Sequence, residues 1–276
     1  MKVSNSIFIL TVSLYLNLPA RSQSSIAQMM SDQTMLSSGK ELYTRHCMGC
    51  HGLEADGKGP GALMLHPKPR NLLSGSFKFR STPSGSLPTT ADLVRTIDQG
   101  VYGASMPSFK FLSAQNKLAL ALYIKSLRKD WASQESSPIH IPNTPKEIFA
   151  KKATLFLAAQ SGYKLFMENC ATCHGTTGLG DGESAAALVD DDNQPIKPAN
   201  YLQPYIKSGR SARDIFKAIS TGLDGTPMPG FAESFSEQQR WELVSYIMFR
   251  RGQGMGIYSS EKSLEALVAE TQSAQK

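Results

Sequence analysis

GKELYTRHCMGCHG (39–52) and GYKLFMENCATCHG (162–175) decide the reading of this chain. Each places two cysteines three positions apart with a histidine directly after the second. Each does so behind the same helical spacing: Gly39, Leu42, Tyr43 and His46 fall at i, i+3, i+4 and i+7, as do Gly162, Leu165, Phe166 and Asn169. The likeness extends outward. PRN (69–71) answers PAN (198–200), TTADLVRTIDQG (89–100) answers SARDIFKAISTG (211–222), and GASMPSF (103–109) answers GTPMPGF (225–231). SAQNKLALALYIKSL (113–127) answers SEQQRWELVSYIMFR (236–250). The chain is therefore an internal repeat over 39–128 and 162–251. The proline-bearing stretch 129–161 reads as a linker, non-helical through 149, and 252–276 as a C-terminal tail.

Within each copy the periodicity is helical and no convincing strand alternation occurs, so the expected class is all-α. Thr89 with Asp92, Ser211 with Asp214, and Ser236 with Gln239 have capping-box spacing. Leu93, Val94 and Ile97 form one apolar stripe; Ile215, Phe216 and Ile219 form its counterpart. The last helix is expected to bury Leu118, Leu122 and Tyr123 in one copy and Trp241, Val244 and Tyr246 in the other. Gly39 and Gly162 sit in helical pattern, where glycine costs stability. A close helix crossing would account for that cost. Three helices and long Gly/Pro-rich loops in about 90 residues bury little alone, so something large and apolar should complete each core.

Composition narrows the compartment and the partners. The 276 residues are 41% hydrophobic and 19% charged, with net charge +6. The basic residues are scattered, which argues against nucleic acid. No apolar run reaches 18 residues, which excludes an ordinary spanning helix. Residues 1–22 carry Lys2, an apolar stretch from Ile7 to Leu18, and Ala20 and Ser22 before Gln23, the pattern of a cleaved signal peptide. An uncleaved anchor is the alternative, and 23–37 read as a loose leader. Export implies an oxidising, periplasmic setting, where two C-x-x-C pairs would close as disulfides unless something captured their sulfurs.

Cys47, Cys50 and His51, and Cys170, Cys173 and His174, form C-x-x-C-H motifs, the spacing of c-type haem attachment. Two sulfurs so spaced reach both vinyl groups of one porphyrin, and the adjacent histidine comes under the iron. Zinc would need further ligands, and only His46, His66 and His140 remain. A thioredoxin-like site needs a βαβ context that is absent. Met106 and Met228 are the candidates for the sixth ligand. They stand at nearly equal distance beyond His51 and His174, each in a G-x-x-G-x-x-M-P loop rather than on a helix stripe. A thioether is a soft neutral donor suited to low-spin iron.

These motifs, twice and in order, make the chain resemble a di-haem c-type cytochrome, two fused class I cytochrome c domains. The resemblance implies a helical fold wrapping each of two covalently bound haem c groups, with His/Met axial ligands. It implies electron transfer by a periplasmic carrier or an electron-transfer subunit of an oxidoreductase, with redox proteins as partners and no small-molecule substrate. The alternative is an enzyme of the di-haem cytochrome c peroxidase type, which needs one iron able to open a coordination position. The resemblance also implies a proline carbonyl accepting the proximal histidine N–H; Pro67 or Pro69, and Pro195 or Pro198, are placed for it. Arg70, Lys78 and Arg80, and Tyr201, Lys207 and Arg210, are candidates for the propionates. His46 reads as a packing residue and His66 and His140 as loop histidines. The tail 259–276 can form an amphipathic helix through Leu264, Leu267 and Val268, to pack on a domain or a partner. Residues 39–128 hold 12 Lys/Arg against 5 Asp/Glu, and 162–251 hold 9 against 11. The first copy is therefore expected to meet an acidic partner.

Overall fold

The computed structural model describes residues 21–133, 136–259 and 262–273. The cleavage-site reading falls mainly on residues 1–20, outside that range. Helix α1 (Arg21–His46) runs into a one-turn helix, α2 (Met48–His51), at the first motif. After a long loop with a 3₁₀ turn (Ala62–Met64) come α3 (Thr90–Gln99) and α4 (Ala114–Ser126). Short helices α5 (Lys129–Ser133) and α6 (Lys146–Phe149) lead to the second copy. There α7 (Lys152–Asn169) runs into α8 (Ala171–His174), followed by a 3₁₀ turn (Ala185–Ala187), α9 (Ala212–Thr221) and α10 (Glu237–Gly254). Helix α11 (Leu264–Ser273) ends the described chain. The described residues hold helices and isolated bridges, as expected of an all-α protein.

The helix starts follow local chemistry. Thr89, Ser211 and Ser236 each accept from the backbone N–H three residues on, and Asp92, Asp214 and Gln239 return the bond to the cap backbone. In each copy the first and last helices cross closely. An added Cβ at Gly39 would lie 2.2 Å from the Ala119 carbonyl oxygen, and one at Gly162 only 1.9 Å from that of Glu242. Each glycine thus lets two backbones meet where a side chain would hold them apart.

Several expectations are corrected. Helix α7 begins at Lys152, not near Gly162, because Ala153, Phe156 and Ala159 continue its buried face. The stretch 23–37 belongs to α1. In α4 the buried apolar residues are Ala119, Leu120, Ala121 and Ile124, while Leu118 is exposed. The linker is partly helical and is stapled to both copies. Trp131 is buried in the first core, donating from Nε1 to the Pro88 carbonyl, and Ile148 and Phe149 pack on the second. The tail chooses its own chain: Leu264 is buried in the second core and Leu267 packs beside it. The side chain of Val268 lies outside the described residues.

The two copies meet across a polar interface whose pairs are reciprocal. Asp92 and Asp214 are repeat equivalents, and so are Arg95 and Lys217. Arg95 pairs with Asp214, and Lys217 stands 3.8 Å from Asp92. This is the i-to-j, j-to-i pattern of a twofold interface, here within one chain. The capping carboxylates thus serve a helix end and the domain contact together.

Candidate functional site

Each C-x-x-C-H turn is set by the helix before it. The Cys47 and Cys170 N–H groups donate to Tyr43 and Phe166 carbonyls, and the histidine N–H returns to the first cysteine carbonyl in both copies. In the first copy the buried Tyr43 hydroxyl donates to the Gly52 carbonyl at 2.7 Å, tying the turn to α1. Phe166 stands in its place in the second. All four cysteines carry free thiols, and burial, followed by the paired cysteine, pushes the Cys47 and Cys170 thiols up to about 11.

The histidines are oriented by a backbone carbonyl. His51 Nδ1 lies 2.9 Å from the Arg70 carbonyl oxygen and His174 Nδ1 lies 3.4 Å from that of Ala199. Donation from Nδ1 leaves Nε2 as the lone-pair nitrogen. Burial lowers both histidine pKa values, which favours the neutral ring a metal needs. The acceptors correct the proline expectation by one residue: Pro69 and Pro198 fix the backbone just before the carbonyl that accepts. Over each turn the loop closes tightly. A Cβ on Gly59 would meet the Met48 oxygen at 2.5 Å, and one on Gly182 the Thr172 oxygen at 2.3 Å.

The two methionine loops share one local fold. The Val101 and Leu223 N–H groups donate to the carbonyls of Met106 and Met228, at 3.0 and 3.1 Å. Gly100 and Gly222 have positive φ and lie against the Pro107 and Pro229 backbone, where a side chain would block closure. Their surroundings differ. Met106 packs on the first core together with Cys47. Met228 borders an interdomain cavity of about 780 Å³ lined also by Ser76, Ser86 and Asp224.

Of the propionate candidates, Arg80 is committed elsewhere. It is fully buried, donates to the Phe77, Pro83 and Thr221 carbonyls, and pairs with Asp224 at 2.7 Å. Asp224 belongs to the Met228 loop and also accepts from the Ser84 hydroxyl and the Gly85 N–H. In the mirror position Tyr102, from the Met106 loop, packs on Tyr205 with Arg210 over its ring. Each methionine loop is therefore held by the other copy, which composition alone does not reveal. Tyr201 is buried, stacked on His174, with its hydroxyl 3.4 Å from Nε2. His46 packs edge-on to Phe109 and Phe111, as a packing residue should.

Two helical domains, each built on a C-x-x-C-H turn with a carbonyl-anchored histidine and a methionine loop, define a c-type cytochrome architecture. The Cytochrome c family model matches residues 36–128 and again 159–249, and the chain belongs to that family. It is 25% identical over 229 residues to the "Cytochrome bc1 complex cytochrome c subunit" of Corynebacterium efficiens, covering 78% of this chain and 63% of that one. It is 27% identical over 168 residues to the "Cbb3-type cytochrome c oxidase subunit FixP" of Sinorhizobium medicae, covering 60% and 48%. The chain thus spans less than two thirds of these relatives' length. Among solved structures, a chain of the "Kuenenia stuttgartiensis reducing HAO-like protein complex Kustc0457/Kustc0458" is 36% identical with a TM-score of 0.71, covering 77% of this chain and 95% of that one.

Family membership implies covalently bound haem c, and the residues present fit it. The thiols are unpaired and adjacent to a neutral imidazole anchored through Nδ1. In the second copy the fit requires the Tyr201 hydroxyl to leave Nε2. Among the described residues no helix is long and apolar enough to cross a membrane.

Proposed function

We propose that the protein is a di-haem electron-transfer cytochrome, exported to the periplasm, working as a soluble carrier or as the electron-transfer subunit of a redox complex. Its haem domains are 39–128 and 162–251. Cys47 and Cys50 hold one group by thioethers, Cys170 and Cys173 the other. His51 with Met106, and His174 with Met228, are the axial pairs. The bound groups supply one-electron exchange without bond making. The protein supports it by fixing each imidazole through Nδ1, by keeping both rings neutral, and by closing the methionine loops. With two protein ligands on each iron no position is left for a substrate, so the protein acts as a carrier rather than an enzyme. The relatives' descriptions, subunits of bc1 and cbb3 oxidase complexes, support a place beside other redox proteins. The observation that carries the reading is the histidine–carbonyl anchor and methionine loop occurring twice in matching form.

Two measurements test it. Intact mass of the mature protein is expected to exceed the apo chain by two haem masses; one haem mass, or haem extractable by acidified solvent, counts against it. Met106→Ala and Met228→Ala are each expected to remove about half of the far-red sulfur-to-iron band and to lower one of two potentials, with both haems retained. An unchanged band in either variant rules out that ligand.

A further inference from the structure

The repeat offers an internal comparison at the first motif. Residues 58–65 and 181–188 form the same loop over the two C-x-x-C-H turns. Gly59 and Gly182 N–H groups donate to the Cys50 and Cys173 carbonyls at 3.1 and 3.2 Å. Gly61 and Ser184 donate to Gly49 and Thr172 at 2.9 and 3.0 Å, and Met64 and Ala187 close the 3₁₀ turns on Gly61 and Ser184, both at 3.1 Å. The backbone is therefore served equally by either sequence.

The side chains on it are opposite in kind. Where the second copy carries Ala186 and Ala187, the first carries Leu63 and Met64, which are 84% and 88% exposed. Leu53, at the other side of the turn, is 69% exposed where the second copy has Thr176. Lys58 stands where Asp181 stands, Lys68 answers Lys197, and 58–68 holds no acid while the longer loop 181–197 holds Asp181, Glu183, Asp190, Asp191 and Asp192. Lys68 Nζ also donates to the Ala62 and Leu63 carbonyls at 3.2 and 3.0 Å, fixing the turn that presents Leu63 and Met64. The fold does not require two large apolar side chains here, since alanine serves the same turn. Exposed apolar residues with a charged rim mark an interaction surface, and methionine adapts its shape to a partner.

We propose that Leu53, Leu63 and Met64, rimmed by Lys58 and Lys68, form the docking surface for a redox protein whose matching face is apolar at its centre and acidic at its rim. The inference rests on the haem reading above, because the loop lies directly over the first motif and docking there brings a partner to that site. One electron passes between the partner's metal and the docked domain, with no bond made or broken. A protein fits better than a membrane: one short turn and two lysines offer little to insert or to hold against lipid.

The test uses reduced holoprotein with an oxidised acidic blue-copper protein as probe, copper(II) taking one electron per encounter. Spectrum and potentials of each variant are recorded first, so that failure of the haem reading is seen separately. Leu63→Ser with Met64→Ser is expected to keep both and to lower the second-order rate about tenfold. Lys58→Glu is expected to flatten the salt dependence. Ala186→Ser with Ala187→Ser is expected to leave the rate unchanged. The proposal is overturned if the Leu63/Met64 variant reacts like the wild type or if the alanine control slows equally. It is overturned too if Leu63 and Met64 govern sedimentation with phosphatidylserine vesicles but not the reaction with copper protein.

Discussion

Replacing Arg80 with alanine is expected to destabilise the folded protein by about 3–5 kcal/mol, the usual cost of breaking a buried ion pair from one side. Arg80 is fully buried and its guanidinium joins two domains: Phe77 and Pro83 carbonyls on its own side, Thr221 carbonyl and Asp224 carboxylate on the other. Truncation leaves those acceptors facing a space that no side chain fills, and leaves Asp224 with only Ser84 and Gly85 as donors. Arg80→Lys keeps the charge but not the planar fork that reaches several oxygens together, so a smaller loss is expected. Urea unfolding followed by far-UV dichroism measures both. A loss below about 1 kcal/mol for Arg80→Ala would show that the pair contributes little beyond its own desolvation. A second readout is local. Asp224 lies in the Met228 loop, so if Met228 ligates iron, the variant disturbs the far-red band of the second haem and spares the first.

That arginine also marks where sequence reading stops. Its place between the motifs suggests a propionate partner, but its partner Asp224 sits far along the chain in the other repeat. Charge type carries no information about which acid a cation meets after folding. The reciprocal contacts of Asp92 with Lys217 and Asp214 with Arg95 were hidden for the same reason: capping spacing accounts for the two acids locally and gives no sign of a second duty. What was legible was local or repeated. The capping boxes, the helical stripe before each motif and the two glycine crossings were all readable, because each is fixed by spacing within one or two turns. In α4, KLALALYI is apolar at every position after Lys117, so its pattern leaves the buried face undetermined. Prolines 138, 142 and 145 dominate the stretch just before α7 and mask its start. Of the candidate site, the attachment turns were plain in the sequence. The carbonyls that orient His51 and His174 belong to the residues after Pro69 and Pro198, since backbone acceptors leave no residue signature.

Gly162→Ala is expected to reverse the ordinary sign of a glycine-to-alanine change inside a helix. Propensity alone favours alanine by about 1 kcal/mol. At this position the new methyl would lie 1.9 Å from the Glu242 carbonyl oxygen, 2.4 Å from its carbon and 2.9 Å from the Leu243 nitrogen. All three are backbone atoms of α10, so no rotamer change relieves the contact; the helices must move apart. Overpacking of this kind costs about 1–3 kcal/mol and sometimes more, and separation also opens the contact around Phe166, Leu243 and Tyr246. A net loss of roughly 2 kcal/mol is expected once the propensity gain is subtracted from the upper part of that range. Ser161→Ala, one position away on the exposed face, is the control, and should be neutral or slightly stabilising. The functional consequence follows from continuity of the chain. Helix α7 ends at Asn169 and Cys170 comes next, so displacing α7 displaces the second attachment turn with it. Thermal unfolding of Gly162→Ala, Ser161→Ala and wild type, each scored for haem content, tests the argument. If Gly162→Ala melts as high as wild type with a full complement of haem, the crossing tolerates separation and the glycine has another cause.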